Sequence, residues 1–193
     1  MFDNISEQIT NKLIENHTIQ AEDKEIYQFG VKQIFTIALN IVTVLALGVS
    51  LHMLMEAVLF MVAFIPLRIY AGGVHAKTPL RCYIYSTFFL AAVLLAMRFT
   101  EIPNFIYCVL YVISSIIVLF LSPVEDKNKP LDEMENSVYK KRAIMLWIIE
   151  SMIIFICFLC KFRIVAECFV ISLSSVAMML ILGALKNKVT KNG

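Results

Sequence analysis

Residues 33–67 are almost continuously apolar, and four further apolar runs follow at 82–97, 104–121, 143–160 and 164–185. The later runs are each close to the ~20 residues that a helix needs to cross a bilayer core. The first is too long for one straight span at ~1.5 Å per residue. Gly48, Ser50, His52 and Glu56 interrupt its middle, so it is predicted to form two helices, about 32–49 and 54–67, joined by a turn. Composition agrees with such a chain. Of 193 residues, 60% are apolar and 17% charged, with a mean hydropathy of +0.79. A soluble domain is about half apolar and about a quarter charged, so lipid is expected to solvate much of this surface. A soluble catalytic domain and a disordered chain are excluded. With 6 Gly, 5 Pro and 5 Cys, so are collagen-like and disulfide-stapled folds. The cysteine count is odd and most cysteines lie in apolar runs, so the thiols are expected to be reduced or buried in lipid.

The placement of charge sets the topology. Residues 1–7 lack the basic and apolar regions of a cleaved signal peptide, so the first helices are expected to insert and stay. With six spans, the N-terminal segment, the 68–81 loop, the 123–142 loop and the C-terminus share one side. They hold 14 of the 17 basic residues, leaving Arg98, Lys161 and Arg163 on the other side. By the positive-inside rule both termini are cytoplasmic. The predicted fold is all-α: a polytopic membrane bundle of about six helices, N-in and C-in. Residues 1–31 form a cytoplasmic or interfacial preface and residues 32–188 the membrane domain. In the preface Phe2, Ile5, Ile9 and Leu13 mark one face of an amphipathic helix. Such a helix can lie on the membrane surface or dock on its own domain.

The loop entering the third span is dense in chemistry. It reads Arg68, Gly72-Gly73, His75, Thr78-Pro79, Arg81, Cys82 and, one helical turn later, Ser86. Paired glycines permit a tight bend or a close backbone approach. Histidine exchanges protons near neutral pH. Thr followed by Pro is a helix-start signature, which puts Cys82 in a first turn beside Arg81. Helix N-termini and neighbouring cations favour thiolate, the nucleophilic form of cysteine. A cysteine and a histidine brought together by a turn are the minimal equipment for covalent acyl transfer. Backbone N–H groups near Gly72-Gly73 or at the helix start are candidate oxyanion donors. Arg68 and Arg81 are candidate carboxylate binders or plain positive-inside anchors. Ser86 is a candidate for the site or a helix-packing serine.

The pattern Arg68-x3-Gly72-Gly73-x-His75-Ala76-x5-Cys82-x3-Ser86, in so apolar a chain of this length, resembles the accessory gene regulator B (AgrB) family of bacterial membrane cysteine endopeptidases. The later Pro123-x6-Pro130 segment and the basic Lys140-Lys141-Arg142 match loosely. The resemblance covers essentially the whole chain in length, hydropathy and loop order. It implies a multi-pass protein of the bacterial cell membrane with its active site on the cytoplasmic side. Cys82 is the implied nucleophile and His75 the implied base. The implied substrate is an AgrD-like quorum-sensing precursor peptide, which loses its C-terminal tail and closes to a thiolactone or lactone through a Cys82 thioester. It implies no cofactor, metal or nucleic-acid partner. A homodimer in the lipid bilayer is the expected assembly.

Other residues leave a second class open. Glu150 lies near the middle of the fifth span, where a carboxyl is either functional or held by a structural hydrogen bond. A small peptide exporter without covalent chemistry would depend on it. Cys157-x-x-Cys160, Cys108 and Cys168 read as helix filler. Residues 131–142, acidic early and basic late, read as a separate interfacial helix.

Overall fold

A computed structural model describes residues 2–16, 18–74, 78–100, 102–125 and 132–191. Seven α-helices carry these residues: α1 Asp3–Glu15, α2 Lys24–Ser50, α3 Leu54–Ala71, α4 Pro79–Phe99, α5 Asn104–Leu121, α6 Glu133–Leu159 and α7 Arg163–Lys191. Six of them, α2 to α7, are long and apolar enough to cross a membrane. The long first run is split as predicted. Met53 N–H donates to Gly48 O at 2.7 Å and His52 N–H to Val49 O at 3.0 Å, closing α2 within one turn of α3. The fourth span has the predicted ends.

Five helices run past their hydropathy boundaries, α2, α6 and α7 furthest. α2 starts at Lys24, α7 continues to Lys191, and α6 absorbs the segment predicted as a separate interfacial helix. The physical reason is plainest in α6. Asp132 and Glu135 form a reciprocal capping box that starts the helix, with Asp132 accepting from Glu135 N at 2.6 Å. No Gly or Pro then occurs before residue 160. Hydropathy marks where lipid begins; capping and breakers mark where a helix begins.

α7 is the centre of the bundle, packed by α3, α5 and α6. Its buried Leu173, Val176, Ala177 and Leu180 meet Leu67 and Ala71 of α3, Val118 of α5 and Ala143 of α6. A second cluster joins α2, α3 and α4 through Val44, Ala57, Phe60, Leu90 and Leu94. In lipid the packing of small side chains and interhelical hydrogen bonds replaces hydrophobic exclusion. Ser114 donates to Ser174 and Trp147 to Ser115, each at 3.0 Å. Such bonds contribute about 0.6 kcal/mol apiece on average.

α1 folds back on the start of α2. Phe2 stacks on Phe35, and Asp3 pairs with Lys32. The expected stripe of Phe2, Ile5, Ile9 and Leu13 seats this helix only in part: Phe2, Ile9 and Leu13 are half-buried, Phe2 against Phe35. Ser6 and Thr10 are fully buried, while Ile5 stays exposed. Their hydroxyls donate to Asp3 O and Ser6 O in their own helix, so small polar residues form a close contact without orphaned donors.

Candidate functional site

The site is built where α3 ends. Gly72 (φ 77°) and Gly73 (φ 116°) take conformations that side chains resist. They lead the chain across two neighbours. Val124, just after α5, donates to Ala71 O at 2.9 Å and accepts from Gly73 N–H at 3.0 Å, forming a single parallel bridge. Val74 N–H donates to Met179 O of α7 at 3.3 Å. A Cβ on Gly72 would collide with Val124 O, and one on Gly73 would lie 2.8 Å from Met179 O.

Arg68 braces this path from one turn back in α3. Its guanidinium donates to Gly72 O and, at 2.6 Å, to Val74 O. Planar forked donors suit this two-carbonyl grip, which lysine cannot reproduce. Arg68, by its charge alone a candidate carboxylate binder or membrane anchor, is here an internal strut. Gly73 was also a candidate oxyanion donor, but its N–H is committed to Val124 O.

Four residues after Val74, Thr78 opens α4. Its backbone is extended (φ −135°, ψ 148°), its Oγ1 accepts from Arg81 N–H at 3.3 Å, and Pro79 follows at the first helical position. Cys82 N–H donates to Thr78 O at 3.0 Å. The predicted helix start is therefore present, with Cys82 in the first turn and exposed. Arg81 is exposed beside it. Ser86 is exposed one turn further and donates to Tyr83 O at 2.9 Å. His75 lies outside the described residues, as do Lys77 and residues 126–131.

Several further residues hold this region, and of these only Arg142 belongs to a pattern that the sequence marks. Tyr83 hydroxyl and Thr43 Oγ1 lie 2.7 Å apart, tying α4 to α2. Asn187 Nδ2 donates to Glu125 O at 2.7 Å, tying the segment after α5 to α7. Arg142 of α6 donates to Tyr70 hydroxyl at 3.2 Å, with its guanidinium 5.2 Å from the ring centroid. Tyr139 meets the same ring edge-on. Gly183 of α7, where a Cβ would lie 2.9 Å from Gly73 Cα, is also legible in principle, because a lone glycine in an apolar span often marks a close helix contact.

Elsewhere, Glu150 of α6 is buried, and its Oε2 has no hydrogen-bond partner among the described residues. The structural hydrogen bond considered for it is not seen at that atom. All five cysteines are free.

Comparison with known proteins points one way. The family model for Accessory gene regulator B matches residues 6–182. The AgrB-like protein 2 of Clostridium perfringens (strain 13 / Type A) is 29% identical over 150 residues, covering 74% of this chain and 70% of its own. Accessory gene regulator protein B of Staphylococcus saprophyticus is 29% identical over 113 residues, 58% of this chain and 60% of its own. That of Staphylococcus carnosus is 23% identical over 134 residues, 69% of each. No solved structure matches. With six membrane-length helices and a match over most of its length, the chain belongs to the accessory gene regulator B family and so has a role in accessory gene regulator quorum sensing.

Proposed function

We propose that this protein is a membrane cysteine endopeptidase acting on an AgrD-like precursor peptide. The observation that carries the reading is the setting of Cys82: an exposed thiol in the first turn of a helix opened by Thr78 and Pro79. At its other end, the segment between Val74 and Thr78 leaves from a backbone held by Arg68, Val124 and Met179. His75 belongs to that segment.

In the proposed reaction His75 takes the Cys82 thiol proton and the thiolate attacks a carbonyl carbon of the precursor. The tetrahedral intermediate collapses, the C–N bond breaks, and the amine of the C-terminal tail leaves with the proton from His75. A thioester now joins the precursor to Cys82. An internal Cys or Ser of the precursor attacks it, returning the thiol of Cys82 and closing a thiolactone or lactone. Transfer to a thiol exchanges one thioester for another, so exclusion of water rather than driving force decides the outcome.

The basic residues support a cytoplasmic active site. The side of the bundle that carries Cys82 holds 14 of the 17 lysines and arginines. The working form is a homodimer in the bilayer. The experiment is cleavage of a precursor peptide in vesicles by the wild type and by Cys82→Ala. The variant should insert normally and cleave nothing; cleavage by the variant would refute the reading.

A further inference from the structure

At the end of the bundle opposite Cys82, a cleft of about 700 Å³ opens between α5, α6 and α7. Val112, Ile154, Phe155 and Phe158 form apolar walls, and Asn104, Lys161, Arg163 and Glu167 form a polar rim. The cleft is deep as well as wide: Ser151, which lines it, lies about 12 Å along α6 from Leu159 at the same helix's end. Phe155 and Phe158 are largely exposed, so the opening faces the lipid. Water in such a slot would find few partners, whereas a hydrocarbon chain would regain the contacts that the separated helices forgo.

The rim is selective in charge. Three basic residues lie at this end, and two of them hold turns together. Arg98 donates to Leu51 O at 2.7 Å. Arg163 pairs with Glu167 and reaches Ile102 O at 3.4 Å. Lys161 is exposed, and no acidic side chain pairs with it among the described residues. Its backbone is left-handed (φ 62°) at the end of α6, where Phe162 N–H donates to Cys157 O at 2.8 Å. Glycine or asparagine is the usual occupant of that position; here a lysine stands at the mouth of an apolar cleft. A second groove, between α2 and α3, is lined wholly by apolar residues such as Ile41, Met61 and Pro66 and offers no such charge.

We propose that the α5–α6–α7 cleft binds one anionic glycerophospholipid, with an acyl chain between α5 and α6 and the phosphate at Lys161. The apolar depth holds the chain, and a charge-assisted hydrogen bond at the interface selects the headgroup.

The test uses the full-length chain, delipidated in mild detergent and titrated with phosphatidylglycerol or phosphatidylcholine of identical acyl chains. Bound lipid is counted by native mass spectrometry and Tm is followed in parallel. The wild type should hold one phosphatidylglycerol about fivefold more tightly than phosphatidylcholine, the effect of one basic residue at an anionic headgroup. Lys161→Asn keeps a residue that tolerates the left-handed turn but removes the charge. It should bind both lipids alike while its lipid-free Tm is maintained. Ser151→Trp should fill the cleft and lose both lipids, and Ile154→Trp serves the same purpose should the first variant fail to fold. Equal binding of the two lipids by the wild type, or a phosphatidylglycerol preference that survives Lys161→Asn, would overturn the proposal. So would a dimer cross-linked through a cysteine at position 155 that phosphatidylglycerol fails to displace, since a second copy would then fill the cleft.

Discussion

Gly183 of α7 and Gly73 after α3 touch backbone to backbone: a Cβ on Gly183 would lie 2.9 Å from Gly73 Cα. This contact lets the 72–74 segment lie flat on α7 and donate to Met179 O. Gly183→Ala should therefore push the segment away. A loss of about 1–3 kcal/mol is expected, as for other overpacked sites, with precursor cleavage reduced in parallel. Gly30 is the control, since a Cβ there meets nothing within 4 Å. Gly30→Ala should leave cleavage intact and raise stability by up to ~1 kcal/mol through helix propensity. Thermal unfolding in detergent compares the two.

Arg68→Lys preserves charge but not the two-carbonyl grip on Gly72 and Val74. Losing one charge-assisted hydrogen bond costs about 1.5–3 kcal/mol, so the cleavage rate should fall by about tenfold to a hundredfold. Membrane insertion and helix content should be unchanged by circular dichroism. A rate equal to wild type would show that the strut is dispensable.

The start of α4 was fully legible: Thr78-Pro79 announces a capped helix, and it forms at those residues. So was the division of the first apolar run, because polar residues and a glycine interrupt it. The seat of α1 was not fully legible: apolar periodicity points at Phe2, which does stack on α2, but also at the exposed Ile5, and it passes over the fully buried Ser6 and Thr10. Nor was the bracing of the site. Val124, Met179 and Asn187 act through backbone atoms or a single long-range bond, and such contacts leave no local pattern. Arg68 was singled out for its charge, but its work here depends on carbonyls presented four and six residues later.

The α1–α2 contact has a pH signature. Its hydrogen bond to Lys32 lowers the Asp3 carboxyl from 3.8 to about 2. A carboxyl with a depressed pKa contributes to the docked state above its ordinary value and loses that contribution as pH falls through the depressed one. Docking should thus be constant from pH 7 to about 4 and loosen between about 4 and 2. Because both side chains are solvent-accessible, high salt should weaken the contact at any pH. Distances between spin labels at positions 8 and 28 would report it.

Topology is open to direct labelling. In a cysteine-free variant, single cysteines at 128 and 188 should resist an impermeant thiol reagent added outside intact cells. A cysteine at 162, in the turn between α6 and α7, should react. Labelling at 128 from outside would reverse the assigned orientation.

The central claim is that Cys82 carries the acyl group. A precursor whose ring-closing residue is replaced by Ala removes the second acceptor, so the thioester should accumulate on the wild-type enzyme. Peptide mass spectrometry after rapid acid quench is the measurement. The peptide containing Cys82 should gain the mass of the precursor without its tail, and His75→Ala should slow that gain by about 10²–10⁴. An adduct on Cys108, Cys157, Cys160 or Cys168, or cleavage of the precursor with Cys82 unmodified and replaceable by Ala, would contradict it.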